Sequence, residues 1–307
     1  MLRTILFTAL ALVAFAFNSI LCRLALRGEE ADAAGFTAVR LASGAVALIV
    51  ISWLVSRPKP QKSQVASDSN SLGTWDIGLG TLGSWASAFF LFAYAVCFSF
   101  AYLGLTTGTG ALILFGAVQM TMIAAAIFKG ERPNVIEWCG LVVAVGGLVY
   151  LVLPGLASPP LISSVLMAVA GMSWGVYTLR GRSGGVPLAN TTGNFVRSLP
   201  IVLILIAISL PNIHLSTRGI VLAVLSGAVA SGVGYSFWYA ALAYHTAMRA
   251  AVLQLPVPLL TALGGILLLG EAASARLFVA SALILGGIGL TIFGRTAIRR
   301  VAEARTK

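Results

Sequence analysis

The sequence predicts an all-α polytopic membrane protein, with ten transmembrane helices arranged as two inverted five-helix repeats around a central cavity. Hydrophobic residues make up 59% of the 307 residues and charged residues only 9%, whereas soluble domains carry about 25% charged residues. The mean hydropathy is +0.97. Ten apolar segments reach or approach the roughly 20 residues that a helix needs to cross a bilayer. The second half of the chain also repeats patterns of the first.

The predicted spans are separated by short breaks with turn chemistry, such as Leu153-Pro154-Gly155. The first span is longer than the apolar core of a signal peptide and lacks a clear cleavage site, so we predict that it is retained. In chain order the spans are Thr4–Leu26, Ala34–Ser56, Ile77–Leu103, Thr106–Phe128, Val135–Leu153, Leu161–Leu179, Asn190–Leu210, Gly219–Ala243, Thr246–Leu269 and Arg276–Phe293. The first repeat covers residues 1–155 with a cytoplasmic loop at 57–76, the second covers 156–294, and 295–307 form a basic cytoplasmic tail.

The distribution of positive charge predicts the orientation of these spans. With the N-terminus in the cytoplasm, 14 of the 20 Lys and Arg residues fall on the inner side and about four on the outer side. Basic residues concentrate in the cytoplasmic segments of membrane proteins, so both termini are predicted to be cytoplasmic. The basic tail is predicted to lie against the anionic lipids of the inner leaflet.

Composition and charge also exclude several classes of function. The net charge of +11 arises from 20 bases against only 9 acids, and in so apolar a chain it indicates cytoplasmic loops rather than a nucleic-acid partner. Cys22, Cys97 and Cys139 lack metal-ligand spacing, and their odd number argues against a disulfide framework. An enzyme would need clustered acids, histidines or an activated nucleophile. We therefore predict no catalytic activity, no metal and no cofactor.

An internal repeat links the two halves of the chain. Gly130-Glu131 matches Gly270-Glu271, and Gly146-Gly147 matches Gly286-Gly287, both at an offset of 140 residues. Because each predicted repeat contains five helices, an odd number, the second repeat crosses the membrane in the opposite sense to the first. Inverted repeats are common in secondary transporters, where two equivalent halves open alternately to either side.

Two short motifs accompany the helix count. Ala168–Gly175 carries spaced small residues followed by Ser-Trp-Gly, and Leu268–Glu271 reads Leu-Leu-Gly-Glu. With these features the chain resembles the drug/metabolite transporter superfamily, specifically its EamA-type bacterial amino-acid exporters. The resemblance implies a location in the bacterial inner membrane. The resemblance implies a basket of helices around a cavity lined mainly by helices three, four, six, eight and nine, with Tyr94 and Trp174 as cavity aromatics. Gln119 stands where that branch often carries an aromatic residue before a proline, and this chain has neither.

Polar and aromatic side chains at membrane depth are the predicted lining of the cavity. Intramembrane amides are costly unless they face a wet cavity or bridge helices, and both interpretations stay open here. Tyr and Trp at that depth need partners for their O–H and N–H groups, although core packing is the alternative. The predicted cavity residues are Asn18, Tyr94, Tyr102, Gln119, Trp174, Tyr177, Tyr235, Trp238, Tyr239 and Gln254.

Two prolines and three glycines mark the predicted moving parts. Pro256 and Pro258 lie within the ninth span, where each removes a backbone donor and is expected to kink the helix. Gly108, Gly110 and Gly116 are expected to loosen the corresponding fourth span. The alternatives are a purely structural kink and ordinary close packing of helices.

Charged side chains are scarce within the predicted spans. Arg40 and Arg197 lie a turn or two inside span ends. Either could hold a substrate carboxylate, but snorkelling or closing a gate with a loop carboxylate is the favoured interpretation. All nine acids and both histidines fall in loops or near span ends, so no group is placed to relay a proton at the midplane. We therefore predict a passive exporter, or coupling by another route.

The predicted function is secondary transport, without ATP, of small neutral or zwitterionic amphipathic metabolites out of the cell by alternating access. Amino acids are the first choice, because rings suit the apolar part of such a ligand and amides its polar end. Export of drugs or nucleosides is the alternative within transport. A non-transporting membrane scaffold or receptor is the alternative from another class, and it leaves the inverted repeat unexplained. The direction of transport rests on the resemblance alone.

Overall fold

Regular structure in the described part of the chain is entirely helical. The computed structural model describes residues 2–55, 83–128, 130, 134–153, 158–181, 186–242, 253–272 and 274–305. Across these ranges an isolated antiparallel bridge joins Ala31 to Leu215, and no strand is present. The predicted loop at 57–76, the start of the third span and the start of the ninth span lie outside the described residues.

The helices follow the predicted spans closely. They are α1 (Leu2–Arg27), α2 (Ala33–Val55), α3 (Trp85–Ala101), α4 (Thr107–Phe128), α5 (Val135–Val152), α6 (Leu161–Gly181), α7 (Pro187–Ser209), α8 (Thr217–Val224), α9 (Gly234–Leu242), α10 (Pro256–Leu269) and α11 (Ala275–Arg305). A π-helical segment, Leu225–Val233, joins α8 to α9 without a break. The helix predicted to end at Phe293 continues through most of the basic tail, to Arg305.

Seven of these helical stretches are long and apolar enough to cross a membrane: α1, α2, α4, α5, α6, α7 with its following turn, and the continuous α8–α9 stretch. Three shorter apolar helices, Trp85–Ala101, Pro256–Leu269 and Ala275–Thr291, lie where the third, ninth and tenth spans are predicted. The chain is therefore a polytopic membrane protein. The count of ten crossings and the orientation of the termini stay predictions.

Short polar side chains and one glycine set several helix ends. Ser84 begins α3 by accepting a hydrogen bond from the Ser87 backbone N–H, 3.1 Å from its Oγ. Asn134 and Glu137 form a reciprocal capping box at the start of α5. Such caps satisfy backbone donors that a helix leaves unpaired at its first turn. Gly270 ends α10 with a φ of +63°, a left-handed conformation that glycine adopts without strain.

Glycines allow α5 and α11 to pack closely. A Cβ atom on Gly140 would lie 2.5 Å from the Gly287 carbonyl oxygen, and one on Gly287 would lie 2.5 Å from the Gly140 carbonyl oxygen. Gly147 is equally crowded by α11. Gly146 and Gly286, in contrast, face open space. Of the two matched Gly-Gly pairs, the second member therefore packs and the first does not, in both halves of the chain.

The arrangement of neighbouring helices has an internal symmetry. α2 packs on α7, α4 on α10, and α5 on α11. α6 packs against α3 and α4, while α1 packs against the α8–α9 stretch and α10 in the corresponding way. α3 contacts α7 as the π-helical segment contacts α2. Each of the first five spans therefore has neighbours that correspond to those of the span five places later in the chain. The centre of the bundle is enclosed by α1, α3, α4, α6 and α9.

Candidate substrate cavity

An aromatic cluster fills the centre of the bundle. The indole of Trp174 on α6 lies 5.0 Å from the ring of Tyr94, 4.9 Å from that of Tyr235 and 5.5 Å from that of Tyr177, measured between centroids. Phe15 on α1 meets the same indole edge-on at 6.2 Å. Tilted and edge-on contacts at these distances are favourable for aromatic pairs. The cluster therefore joins four helices around one tryptophan.

A small cavity lies beside this cluster. Its walls are formed by Phe15, Asn18, Ser19, Tyr94, Phe98, Leu114, Phe115, Trp174 and Tyr235. The volume is about 20 Å³, which suffices for one water molecule, whereas a cavity of about 150 Å³ is needed to hold benzene. This space among the described lining residues is too small for an amino acid, so such a ligand fits there only if the lining side chains or helices move apart.

Polar side chains form one wall of the cavity. The Asn18 amide nitrogen donates to the Tyr94 hydroxyl at 3.3 Å, and the Asn18 amide oxygen accepts from the Ser226 hydroxyl at 2.5 Å. Arg40 Nη2 donates to the same Tyr94 hydroxyl at 3.0 Å, and Arg40 Nε approaches the Ser231 hydroxyl at 3.4 Å. The Tyr94 oxygen is thus a shared acceptor for an amide and a guanidinium.

Arg40 does not snorkel to the membrane surface. Its side chain is only 1% exposed, and its guanidinium carbon lies 5.1 Å from the ring centroid of Tyr94 and 4.9 Å from that of Phe98. Neighbours on α3 and the π-helical segment therefore turn it inward, and the expectation of snorkelling is wrong for this residue. Arg197, by contrast, is half-buried and approaches the Gly193 carbonyl oxygen at 3.4 Å. Its predicted role as a gate stays a prediction.

The π-helical segment supplies two of the polar contacts. Ser226 reaches Asn18, and Ser231 reaches Arg40, from opposite ends of this segment. A Cβ atom on Gly227 would lie 2.1 Å from the Arg40 carbonyl oxygen, so the two backbones touch. π-helical turns are rare and occur frequently at functional sites. This segment was not foreseen, because its small residues suit an ordinary α-helix equally well.

The ten predicted cavity residues are all buried, with exposures between 0 and 8%. Asn18, Tyr94, Trp174 and Tyr235 line the cavity. Behind them, Trp238 meets Phe15 edge-on, Tyr177 packs on Trp174, Tyr102 packs on Phe98, and Tyr239 lies near Gly181. Gln119 and Gln254 are buried elsewhere.

Several lining residues escaped prediction. Phe15, Ser19, Leu114 and Phe115 carried no signal that separates a cavity wall from lipid-facing or core residues in an apolar helix. The lining comes from α1, α3, α4, α6 and α9. Helices three, four, six and eight, which the resemblance implies, thus contribute to the described lining, and α1 contributes as well. Among the described lining residues, none comes from the ninth span, which is α10.

The structure shows the surroundings of the predicted moving parts, whose role in gating stays a prediction. Pro256 stands at the start of α10, directly after Leu255, which keeps helical angles. Pro258 lies two residues further on and is buried. α4 is continuous past its glycines, which accommodate neighbours instead: Gly108 faces Ala262, Gly110 the Tyr102 ring and Gly116 Leu148. Pro200 lies inside α7 and was overlooked.

One end of the bundle, where α1 ends, is held by a carboxylate. Glu271 Oε2 accepts a hydrogen bond from the Thr107 backbone N–H at 2.8 Å, and Glu271 Oε1 accepts from the Thr107 hydroxyl at 2.9 Å. Arg23 Nε lies 3.5 Å from Glu271 Oε1, an ion pair without hydrogen-bond geometry. Arg23 also donates to the Tyr102 carbonyl oxygen at 2.8 Å. This cluster ties α1 and the α3–α4 turn to the loop after α10.

Comparison with known proteins identifies the family. The model of the EamA-like transporter family matches residues 2–153 and 161–293. The chain belongs to the EamA-like transporter family. It is therefore a membrane transporter of the drug/metabolite superfamily, not an enzyme, and its partner is a small-molecule substrate.

EamA-like relatives occur in bacteria and archaea. An uncharacterized protein of Pseudomonas aeruginosa is 45% identical over 293 residues, which cover 95% of this chain and 96% of that protein. A probable amino-acid metabolite efflux pump of Escherichia coli is 26% identical, over 71% of this chain and 76% of that protein. An uncharacterized transporter of Archaeoglobus fulgidus is 27% identical, over 66% of this chain and 75% of that protein. A solved crystal structure aligns with a TM-score of 0.60 at 17% identity, covering 92% of this chain and 98% of that one, and shares the fold.

Proposed function

We propose that this EamA-like protein exports small zwitterionic amphipathic metabolites, most simply amino acids with apolar side chains, from the bacterial cytoplasm. The observation that carries the proposal is the cavity itself. Rings of Phe15, Trp174 and Tyr235 form an apolar wall, and Asn18 with Tyr94 forms a polar one. Ligand sites combine apolar walls with a few placed polar groups in this way. The name of the Escherichia coli relative, an amino-acid metabolite efflux pump, agrees with the substrate class and direction.

We further propose ten crossings in two inverted repeats, with both termini in the cytoplasm of the inner-membrane protein. The distribution of Lys and Arg supports the orientation. The symmetry of helix neighbours supports the repeat. So do the matched glycines Gly130 and Gly270, which both have positive φ just after their helices. The boundary between the two matched family segments falls near the proposed boundary at residues 155–156.

Transport then proceeds by alternating access. In the proposed orientation the Glu271 cluster lies on the outer side and holds that side closed. Opening requires Glu271 to release Thr107 and Arg23, so that helices part around the cavity. The carboxylates of Glu30, Asp32, Glu137 and Glu271 lie at or between helix ends rather than beside the cavity. We therefore propose that the substrate gradient, rather than a proton relay through the cavity, drives transport.

Counterflow in proteoliposomes tests the proposal. Vesicles loaded with unlabelled phenylalanine are expected to accumulate labelled phenylalanine transiently, and Trp174→Ala is expected to abolish the accumulation because it removes the centre of the aromatic cluster. Trp138→Ala is the matched control, since Trp138 is about half exposed on the protein surface. Absence of counterflow with every amino acid tried overturns the proposed function. Uptake that strictly needs an imposed pH gradient overturns the passive mechanism alone.

A further inference from the structure

Arg40 is a buried cation whose hydrogen bonding is incomplete. It lies within α2 and is 1% exposed. Its Nη2 and Nε approach neutral hydroxyls on Tyr94 and Ser231, and its Nη1 has no hydrogen-bond partner among the residues that the structure describes. Two aromatic faces, of Tyr94 and Phe98, lie about 5 Å from the guanidinium carbon and offer partial compensation. Such a group is costly in a protein interior unless an anion pairs with it.

The carboxylates of Glu30, Asp32 and Glu271 are engaged elsewhere rather than with Arg40. Glu271 pairs with Arg23, and Glu30 accepts from Ser216 and Arg218. Asp32 caps the start of α2 and accepts from the His214 backbone N–H at 2.8 Å. Intramembrane charges that the protein leaves without a counter-ion mark substrate or ion sites. The missing anion is therefore best supplied by a ligand.

The polar wall of the cavity leads directly to this guanidinium. Tyr94 and Asn18 line the cavity, and the Tyr94 hydroxyl accepts from both Asn18 and Arg40. A carboxylate oxygen that took the place of this hydroxyl would accept the same two bonds, and its second oxygen would face the unpaired Nη1. Arginine binds carboxylates through two parallel N–H···O bonds of this kind, which are stronger than bonds between neutral groups.

We propose that Arg40 binds the carboxylate of the substrate, after Tyr94 moves aside as the cavity opens, and that the substrate class is monocarboxylates with an apolar side chain. The proposal rests on the proposed transport function and sharpens its ligand. One cation matches one carboxylate. The ammonium group of an amino acid meets aromatic rings and an amide but no carboxylate among the described lining residues. The carboxylate is therefore required and the ammonium group dispensable.

Competition against labelled phenylalanine in the counterflow assay tests this with wild-type protein. The competitors are 3-phenylpropionate, which lacks the ammonium group, and 2-phenylethylamine, which lacks the carboxylate. 3-Phenylpropionate is expected to inhibit at concentrations within about fivefold of unlabelled phenylalanine. 2-Phenylethylamine is expected to be at least about 30-fold weaker, as when one partner of a buried charge pair is removed. Equal inhibition by both analogues, or stronger inhibition by the amine, overturns the inference.

Two variants assign this preference to Arg40. Arg40→Gln is expected to abolish the preference for 3-phenylpropionate over 2-phenylethylamine. Arg40→Lys keeps the charge but not the planar fork, so exchange is expected to fall about tenfold while the preference remains. Arg276→Gln is the matched control, because Arg276 lies at a bundle end and donates to the Leu153 carbonyl oxygen at 2.7 Å. A preserved preference in Arg40→Gln overturns the assignment and indicates a purely structural or gating arginine.

The two proposals fail in different ways. If wild-type protein shows no counterflow of any amino acid, the transport function fails first. If phenylalanine exchanges but the amine competes as well as the acid, transport stands and the carboxylate site falls. Should Arg40→Gln not reach the membrane in folded form, the wild-type competition and Arg40→Lys still decide the outcome.

Discussion

Glu271→Gln is expected to open the outer side of the transporter. The substitution keeps the shape of the side chain but removes its charge, and one of its two acceptor oxygens becomes a donor nitrogen. Glu271 now accepts two hydrogen bonds from Thr107 and faces Arg23 at 3.5 Å. The side chains of Arg23 and Glu271 are only 15% and 7% exposed, so water screens the pair weakly.

The magnitude follows from the three contacts. Hydrogen bonds to charged groups contribute about 1.5–3 kcal/mol and neutral ones about 0.5–1.5 kcal/mol, so each of the two hydrogen bonds loses about 1 kcal/mol. Loss of the ion pair with Arg23 costs about another 1 kcal/mol. A total near 3 kcal/mol corresponds to about a 100-fold change in the ratio of open to closed states, at 1.4 kcal/mol for each tenfold. The fraction of protein that is open on the outer side is therefore expected to rise at least about tenfold.

Thiol labelling measures this change. Cys22, Cys97 and Cys139 are replaced by alanine, and Ser19→Cys places a thiol in the cavity wall. In right-side-out vesicles, a membrane-impermeant maleimide is expected to label the thiol at least about tenfold faster when Glu271→Gln is added.

The matched control is Glu137→Gln, which alters the capping box at the start of α5, where the Glu137 backbone contacts Thr291 of α11. It is expected to leave the rate of external labelling unchanged. An unchanged rate in Glu271→Gln, or faster labelling only from the cytoplasmic side, would refute the assignment of Glu271 to an outer gate.

Three further results are expected. Gly287→Ala should lower the thermal midpoint of unfolding in detergent by several degrees, because the new Cβ meets the Gly140 carbonyl oxygen. Gly286 faces open space, so Gly286→Ala should leave the midpoint unchanged or raise it. Equal effects of the two substitutions would contradict the α5–α11 contact. Gly227→Ala should prevent stable folding or lower the thermal midpoint more than Gly287→Ala does, since its Cβ would overlap the Arg40 backbone. An unchanged midpoint would argue against the packing of the π-helical segment on α2. Asn18→Leu should reduce counterflow at least about tenfold, because it removes the amide from the polar wall of the cavity. Little stability should be lost, since hydrogen bonds between membrane helices contribute only about 0.6 kcal/mol each. Unchanged counterflow would show that Asn18 is not part of the site.

The membrane fold could be predicted from the sequence because lipid imposes a simple rule on it. Every backbone polar group must be satisfied within a span, so long apolar segments become helices. The π-helical segment escaped this rule. Leu225–Val233 consists of small and apolar residues that suit several helical forms. In the fold it packs against α1 and α2 and contacts residues distant in sequence, such as Asn18 and Arg40, which the local sequence does not reveal.

The polar part of the site was predictable for the same physical reason. Asn18, Tyr94 and Trp174 carry groups that are costly in lipid, so their positions within spans already favoured the protein interior. Phe15 and Leu114 carry no such group, and an apolar residue on an apolar helix is equally stable against lipid or against a neighbour.

The orientation of Arg40 also depended on context. An arginine one or two turns from a span end can reach the surface or turn inward. Here hydroxyls of α3 and the π-helical segment, together with rings of α3, hold the Arg40 guanidinium in the protein interior.

Substrate protection of a thiol in the cavity tests the central claim most directly. In detergent, the protein with Ser19→Cys in the background without native cysteines is treated with a maleimide at increasing concentrations of phenylalanine. If the substrate binds beside Asn18, Tyr94 and Trp174, labelling slows with a saturable dependence on phenylalanine, and the half-maximal concentration agrees with that for counterflow. Labelling that stays constant while counterflow is intact would show that the substrate takes another path through the protein.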